Sequence, residues 1–155
     1  VGRLKALLAS QNAHKLAELR AALPGWELEL LDAEYPPERG DTYYGNARAK
    51  ARFGHGVARD SWVLGEDSGI EAAAIGGRPG VESARWAADG VTALLRELQD
   101  ADDRRARYVC ELVAAAPDGD EFRGTGILEG TIAHEPRGRE GFGYDPVFVP
   151  VGETR

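Results

Sequence analysis

Near the middle of the chain the apolar run Trp62-Val63-Leu64 leads straight into Gly65-Glu66-Asp67-Ser68-Gly69. Two carboxylates side by side repel one another unless positive charge sits against them. A hard divalent cation is the usual partner, because it takes carboxylate oxygens and then bridges to phosphates. The flanking glycines allow a tight turn and let a ligand approach the backbone closely. The same residues also read as a plain polar turn closing a short strand, since acids and glycine both favour turns.

Three further segments carry groups of chemical interest. Ser10-Gln11-Asn12-Ala13-His14-Lys15 follows an apolar run and opens a helical pattern. A helix N-terminus offers N–H groups and a partial positive charge to phosphates. Ser10 and Asn12 would add side-chain donors there, and Lys15 a mobile cation. The glycines of a Walker motif are absent, and taken alone the segment reads as a helix cap with Ser10 or Asn12 as the capping residue. Glu38 lies in a Pro-rich loop and Lys50 on the helix after it, and each read singly is a solvated charge. Gly141-Phe142-Gly143-Tyr144-Asp145-Pro146 places two aromatics and an acid within reach of a flat ring and its edge. It equally suits a β-turn with two core aromatics. His14, His55 and His134 have no zinc-ligand spacing, and no GxSxG elbow or Ser-His-Asp set stands out.

The elements that must hold these groups follow from periodicity. Residues 4–9 read as a buried strand, and residues 12–23 as a helix with Leu16, Leu19 and Leu23 on one face and Pro24-Gly25 as its stop. A second strand spans 26–31, a Pro-Pro loop 33–41, and a helix 42–57 that packs through Ala47, Ala49, Ala51 and Phe53. The third strand, 61–64, ends at the acidic turn. A glycine loop covers 75–80 and an amphipathic helix 91–98. Strands at 106–116 and 121–132 flank a Pro117-Asp118-Gly119-Asp120 turn, the signature of a hairpin. A second glycine loop at 135–143 and a short strand at 147–149 complete the pattern. Alternating β and α followed by a hairpin predicts an α/β domain with a mixed, twisted sheet.

Composition narrows the function. A chain of 155 residues suits one domain that buries about two-thirds of its unfolded surface. A net charge of −7 argues against a nucleic-acid binder, yet a few local cations and a metal suffice for a small anionic substrate. The single cysteine, Cys110, permits no intrachain disulfide, which fits a reducing compartment. With no apolar stretch of membrane-spanning length and no visible signal peptide, the expected place is the cytoplasm. Among the 19 basic residues only Lys5, Lys15 and Lys50 are lysines, so each lysine near a candidate site stands out.

Together and in this order, LLASQNAHKLAELRAAL, GDTYYGNARAKA, VLGEDSGIEAAAIGGRPGVESARWA, ARYVCELVAA and EPRGREGFGYDPVFVP resemble the inosine-triphosphate pyrophosphatase family. These stretches cover nearly the whole chain. The resemblance implies an elongated, two-lobed α/β fold, its mixed sheet flanked by helices and its cleft between the lobes. It also implies a magnesium cofactor, a homodimer, and cleavage of non-canonical purine nucleoside triphosphates (ITP, dITP and XTP) to monophosphate and pyrophosphate.

Residue by residue, the resemblance makes the stretch Ser10, Gln11, Asn12, Ala13, His14 and Lys15 the triphosphate-binding segment and Lys50 a helix-borne substrate contact. Glu38 matches the loop glutamate that holds metal. Asp67 matches the general base and metal site, with Glu66 as its acidic neighbour that would help hold the magnesium, and Ser68 as a substrate contact. Phe142, Gly143, Tyr144 and Asp145 would hold the base. Three departures accompany the match. Gly45 stands where a Glu is usual, the stretch between Ser83-Ala84-Arg85 and the helix near Leu94 is shorter, and the chain stops before the family's lysine and Ser-His-Arg motif. The expectation is therefore a single domain over 1–155 whose natural C-terminal segment lies beyond the sequence. Two other readings stay open at this level: a related pyrophosphatase acting on modified pyrimidine triphosphates, and a catalytically silent nucleotide-binding domain if the short end is genuine.

Overall fold

The computed structural model describes residues 3–138 and 143–153. Among them is a mixed sheet of seven strands, flanked by helices, with order β2-β1-β3-β5-β6-β7 and β4 paired to β3. The chain divides into two compact units, Val1–Asp67 with Glu111–Thr125, and Ser68–Cys110 with Gly126–Arg155. No helix among the described residues is long and apolar enough to cross a membrane.

The first unit holds β1 (Leu4–Leu8), α1 (Ala13–Ala22), β2 (Trp26–Leu30) and α2 (Tyr43–Val57). The near ends of β3 (Trp62–Ala72), β5 (Arg105–Ala115) and β6 (Glu121–Ile132) complete it. β1 pairs in parallel with β2 and with β3, so that Leu8 lies beside Leu30 and beside Leu64. Parallel neighbours need a crossover, and α1 and α2 supply the two here. Successive residues of a strand face opposite sides. Leu64 accordingly joins Ala6, Leu8, Leu28 and Leu16 of α1 in one core, with Leu19 and Leu23 packed against it. Val63 instead meets Gly54 of α2, and Ala47 and Ala51 of α2 pack on Val113 and Ala115. The expected apolar face of α1 is the one buried.

The second unit holds the remainder of β3, β5 and β6, together with β4 (Arg78–Pro79), α3 (Gly90–Glu97) and β7 (Phe148–Pro150). β4 runs antiparallel to β3, and β7 antiparallel to β6. Its core gathers Ile70, Leu94, Leu98, Ala106, Ile132, Tyr144, Val147 and Phe148.

One expectation is overturned. The acidic stretch is not a turn: β3 continues unbroken through Glu66 and Asp67 to Ala72. Local composition favours a turn, but β3 is held by β1 up to Leu64, by β4 at Glu71 and Ala72, and has β5 as its other neighbour, and this pairing outweighs that preference. The loop expected over 75–80 likewise yields two residues to β4.

Candidate active site

Because β3 is extended through the acidic pair, Glu66 and Asp67 point to opposite faces of the sheet, and each meets a different helix. Both are buried, at 7% and 4% exposure. Glu66 shares the face of Leu64 and takes Lys15 of α1, with Nζ 2.7 Å from Oε2. Asp67 shares the face of Gly65 and accepts a 2.9 Å hydrogen bond at Oδ2 from Nδ2 of Asn46 on α2. One turn further along α2, Lys50 pairs with the Glu38 carboxylate and donates to the carbonyl of Glu66 at 3.0 Å.

The electrostatics tie the cluster together. Burial pushes the Asp67 carboxyl above its usual range; the Asn46 hydrogen bond opposes this, the nearby Glu38 charge adds to it, and Lys50 and Lys15 pull back. Burial works against the Lys15 ammonium, but Glu66, with Asp67 and Glu38 beyond it, more than offsets that and holds Lys15 above the ordinary lysine value. Two cations and three acids thus lie within mutual electrostatic reach in the first unit.

The turn between β1 and α1 resolves into a cap. Asn12 is the capping residue, its Oδ1 accepting from the backbone N–H of His14 at 2.9 Å and of Lys15 at 3.3 Å. Ser10 in turn accepts from the N–H of Asn12 through Oγ at 3.0 Å. Gln11, Ala13 and His14 are exposed, and Gln11 donates to the carbonyl of Ala33. A cavity of about 500 Å³ opens beside this turn. Ser10, Glu38, Asn46 and Lys50 form its polar wall, while Tyr35 and Phe53 contribute an apolar one.

The remaining candidates belong to the second unit. Ser68 is half-buried on β3. Gly143 adopts a left-handed backbone, with φ of 65°. Tyr144 is buried in the core, its hydroxyl donating to the carbonyl of Ser83 at 2.7 Å. Asp145 accepts from the Tyr108 hydroxyl at 3.1 Å. Phe142 lies outside the described residues. The structure therefore gives Tyr144 a packing role that the GFGYDP segment alone left open.

A model of the Ham1 family matches residues 6–155. The chain belongs to the Ham1 family. This is the family to which the GEDSG, GGRPGVESAR and GFGYDP stretches point. A Ham1 relative from Mycobacterium leprae, named dITP/XTP pyrophosphatase, is 44% identical over 96% of this chain and 78% of its own length. One of the same name from Bdellovibrio bacteriovorus is 38% identical over 96% of this chain and 82% of its own. Among solved structures, a nucleoside-triphosphatase / dITP/XTP pyrophosphatase from Mycobacterium abscessus superposes with a TM-score of 0.76 at 38% identity. That match covers 98% of this chain and 86% of the other.

The structure brings Lys15, Glu38, Lys50, Glu66 and Asp67, all singled out from the motifs, into one cluster. Asn46 and Gly40, which the motifs did not single out, are bonded into the same cluster. A signal for Asn46 was present: it precedes Lys50 by four residues, which puts both on one face of α2.

Proposed function

We propose that this chain hydrolyses deaminated purine nucleoside triphosphates, such as ITP, dITP and XTP, to the nucleoside monophosphate and pyrophosphate. The observation that carries the reading is Asp67: a buried carboxylate, oriented by Asn46 and raised above its ordinary range, among two lysines and a second acid. A base whose proton affinity is raised toward neutral accepts a proton from water more readily. The substrate class is supported by the relatives' activity, at 38% and 44% identity.

In this mechanism the oxygen of a water forms its bond to phosphorus as the anhydride between the α- and β-phosphates breaks. Its proton passes to Asp67, and pyrophosphate leaves. Lys15 and Lys50, held on Glu66 and Glu38 beforehand, turn to phosphate oxygens and balance the charge of the leaving group. The N-terminal end of α1 adds its dipole. Rate acceleration of this kind comes from fixed charge and positioning. Phe142, Gly143 and Asp145, with Ser68, are assigned to the nucleoside on the family resemblance, and Tyr144, which the resemblance also places there, serves that segment by packing in the core and bonding Ser83.

Magnesium belongs to the same proposal. Glu38 and Asp67 offer hard carboxylate oxygens, and magnesium is usually held by one or two such groups together with substrate phosphates. Glu66, engaged with Lys15, supports the site by orienting that lysine. When bound, the ion would screen phosphate charge in the transition state. A cytoplasmic location and a homodimer complete the reading, supported by the lone cysteine and by the family resemblance respectively.

The test is product identity. With magnesium and deoxyinosine triphosphate, pyrophosphate and monophosphate are expected, and Asp67→Asn should lower kcat by about 10²–10⁴-fold. Orthophosphate as the first product, or an undiminished Asp67→Asn variant, overturns the reading. A preference for modified pyrimidine triphosphates in the same panel would overturn the substrate class.

A further inference from the structure

We propose that Asn46 is a positioning residue, an amide clamp that sets the rotation of Asp67 and fixes the Glu38 loop to α2. The inference rests on the reading of Asp67 as the proton acceptor. Asn46 is 2% exposed, and a buried amide is costly unless its groups are bonded. Its Oδ1 accepts from the Gly40 N–H at 2.9 Å. Its Nδ2 reaches the Gly40 carbonyl at 3.4 Å and Asp67 Oδ2 at 2.9 Å.

These partners fix which way the amide faces. A backbone N–H only donates and an ionised carboxylate only accepts, so a flipped Asn46 would set oxygen against oxygen and N–H against N–H. The side-chain oxygen must therefore face Gly40, and the amino group must face Asp67. The carboxyl torsion of an aspartate is otherwise broad, and a single directed donor on Oδ2 removes that freedom.

Gly40 is the other half of the device. A Cβ there would lie 2.4 Å from Asn46 Oδ1, so any side chain at position 40 drives the amide off its seat. Gly40 follows Glu38 by two residues, and the Lys50–Glu38 pair ties the same loop to the same helix one turn later. Asn46 thus couples the loop acid and the strand acid through one buried side chain. Aspartate at 46 would set a carboxylate against Asp67, and alanine would leave the Gly40 N–H without this acceptor.

The experiment compares Asn46→Ala, Gly40→Ala and the double variant, each first shown to unfold cooperatively. If Asn46 positions Asp67, both single variants lower kcat for pyrophosphate release by about a hundredfold, the scale of a small misplacement at a reacting centre. KM for deoxyinosine triphosphate should stay within about threefold of wild type. The double variant should be no slower than Asn46→Ala, because a Cβ at 40 then has no amide to displace. A rise in KM with kcat preserved, or fully additive losses, overturns the proposal. If Asn46→Ala does not fold, Gly40→Ala decides by the same kcat and KM criteria. The contact is read apart from catalysis by the Asn46 side-chain amide NMR resonances, which should move in Asp67→Asn. Unmoved resonances overturn the clamp itself, whereas moved resonances in a protein without pyrophosphatase activity would fault only the functional reading.

Discussion

Replacing Gly65 with alanine tests how α2 is seated on β3. Gly65 faces α2, and a Cβ there would meet the Ala47 carbonyl oxygen at 2.1 Å, the Ala51 nitrogen at 2.5 Å and the Ala51 Cα at 3.1 Å. All three are backbone atoms of one helix, so no side chain can swing aside. Restoring ordinary contact at about 3.5 Å requires the helix to retreat by roughly 1–1.4 Å. Overpacking of this kind costs about 1–3 kcal/mol, and a rigid backbone neighbour puts Gly65→Ala at the upper end. For a chain of this size each kcal/mol moves Tm by about 2–4 °C, so the expected fall is about 6–12 °C. Activity should fall further than stability implies, because α2 carries both Asn46 and Lys50. A displacement of that size costs about a hundredfold in rate. Thermal unfolding by circular dichroism and pyrophosphate release read the two effects. A Tm within about 2 °C of wild type with kcat within threefold would refute the close-approach argument. Gly77→Ala is the contrast: nothing lies within 4 Å of its Cβ position, but its φ is 85°. It should cost about 1–2 kcal/mol of backbone strain and leave turnover unchanged.

The other predictions concern charge and the buried hydroxyl. Asp67 is raised above its unfolded value by burial, so its ionisation opposes folding. The stability it contributes is complete below about pH 4 and is lost as pH rises through the folded value. Asp67→Asn should therefore unfold at a higher temperature than wild type at pH 7, with the gap closing toward pH 4. Glu121 has the opposite sign: Arg48 and Arg52 lower its carboxyl to about 2. Its contribution persists above the ordinary carboxylate range and disappears as pH falls toward about 2, a trend that Glu121→Gln should flatten in acid unfolding curves. Tyr144→Phe removes the hydrogen bond to Ser83 and should cost about 1 kcal/mol with KM unchanged. A raised KM would place that hydroxyl on the substrate instead.

Much of the architecture follows from local pattern. The 3.6-residue spacing of Leu16, Leu19 and Leu23 marks the buried face of α1, and the strand run over 121–132 coincides with β6. Thr42 and Asn12, small polar residues before helical runs, are the caps of α2 and α1. Residue type also marked the acids and lysines, because a carboxylate pair beside rare lysines is chemically conspicuous wherever it falls.

What local pattern misjudged was the backbone through the acids. Gly65-Glu66-Asp67-Ser68-Gly69 has the composition of a turn, and only neighbouring strands, distant in sequence, make it the middle of a ladder. That pairing decides the chemistry. In a turn, Glu66 and Asp67 would serve one partner together. In a strand they part to opposite faces, Glu66 to Lys15 and Asp67 to Asn46. Gly65 likewise changes its meaning, from a turn residue to a place where helix and strand backbones nearly touch. By itself the sequence determined which groups are present and which elements carry them. Only the tertiary structure decided which group faces which, since side-chain direction in a strand and the approach of a helix depend on partners far along the chain.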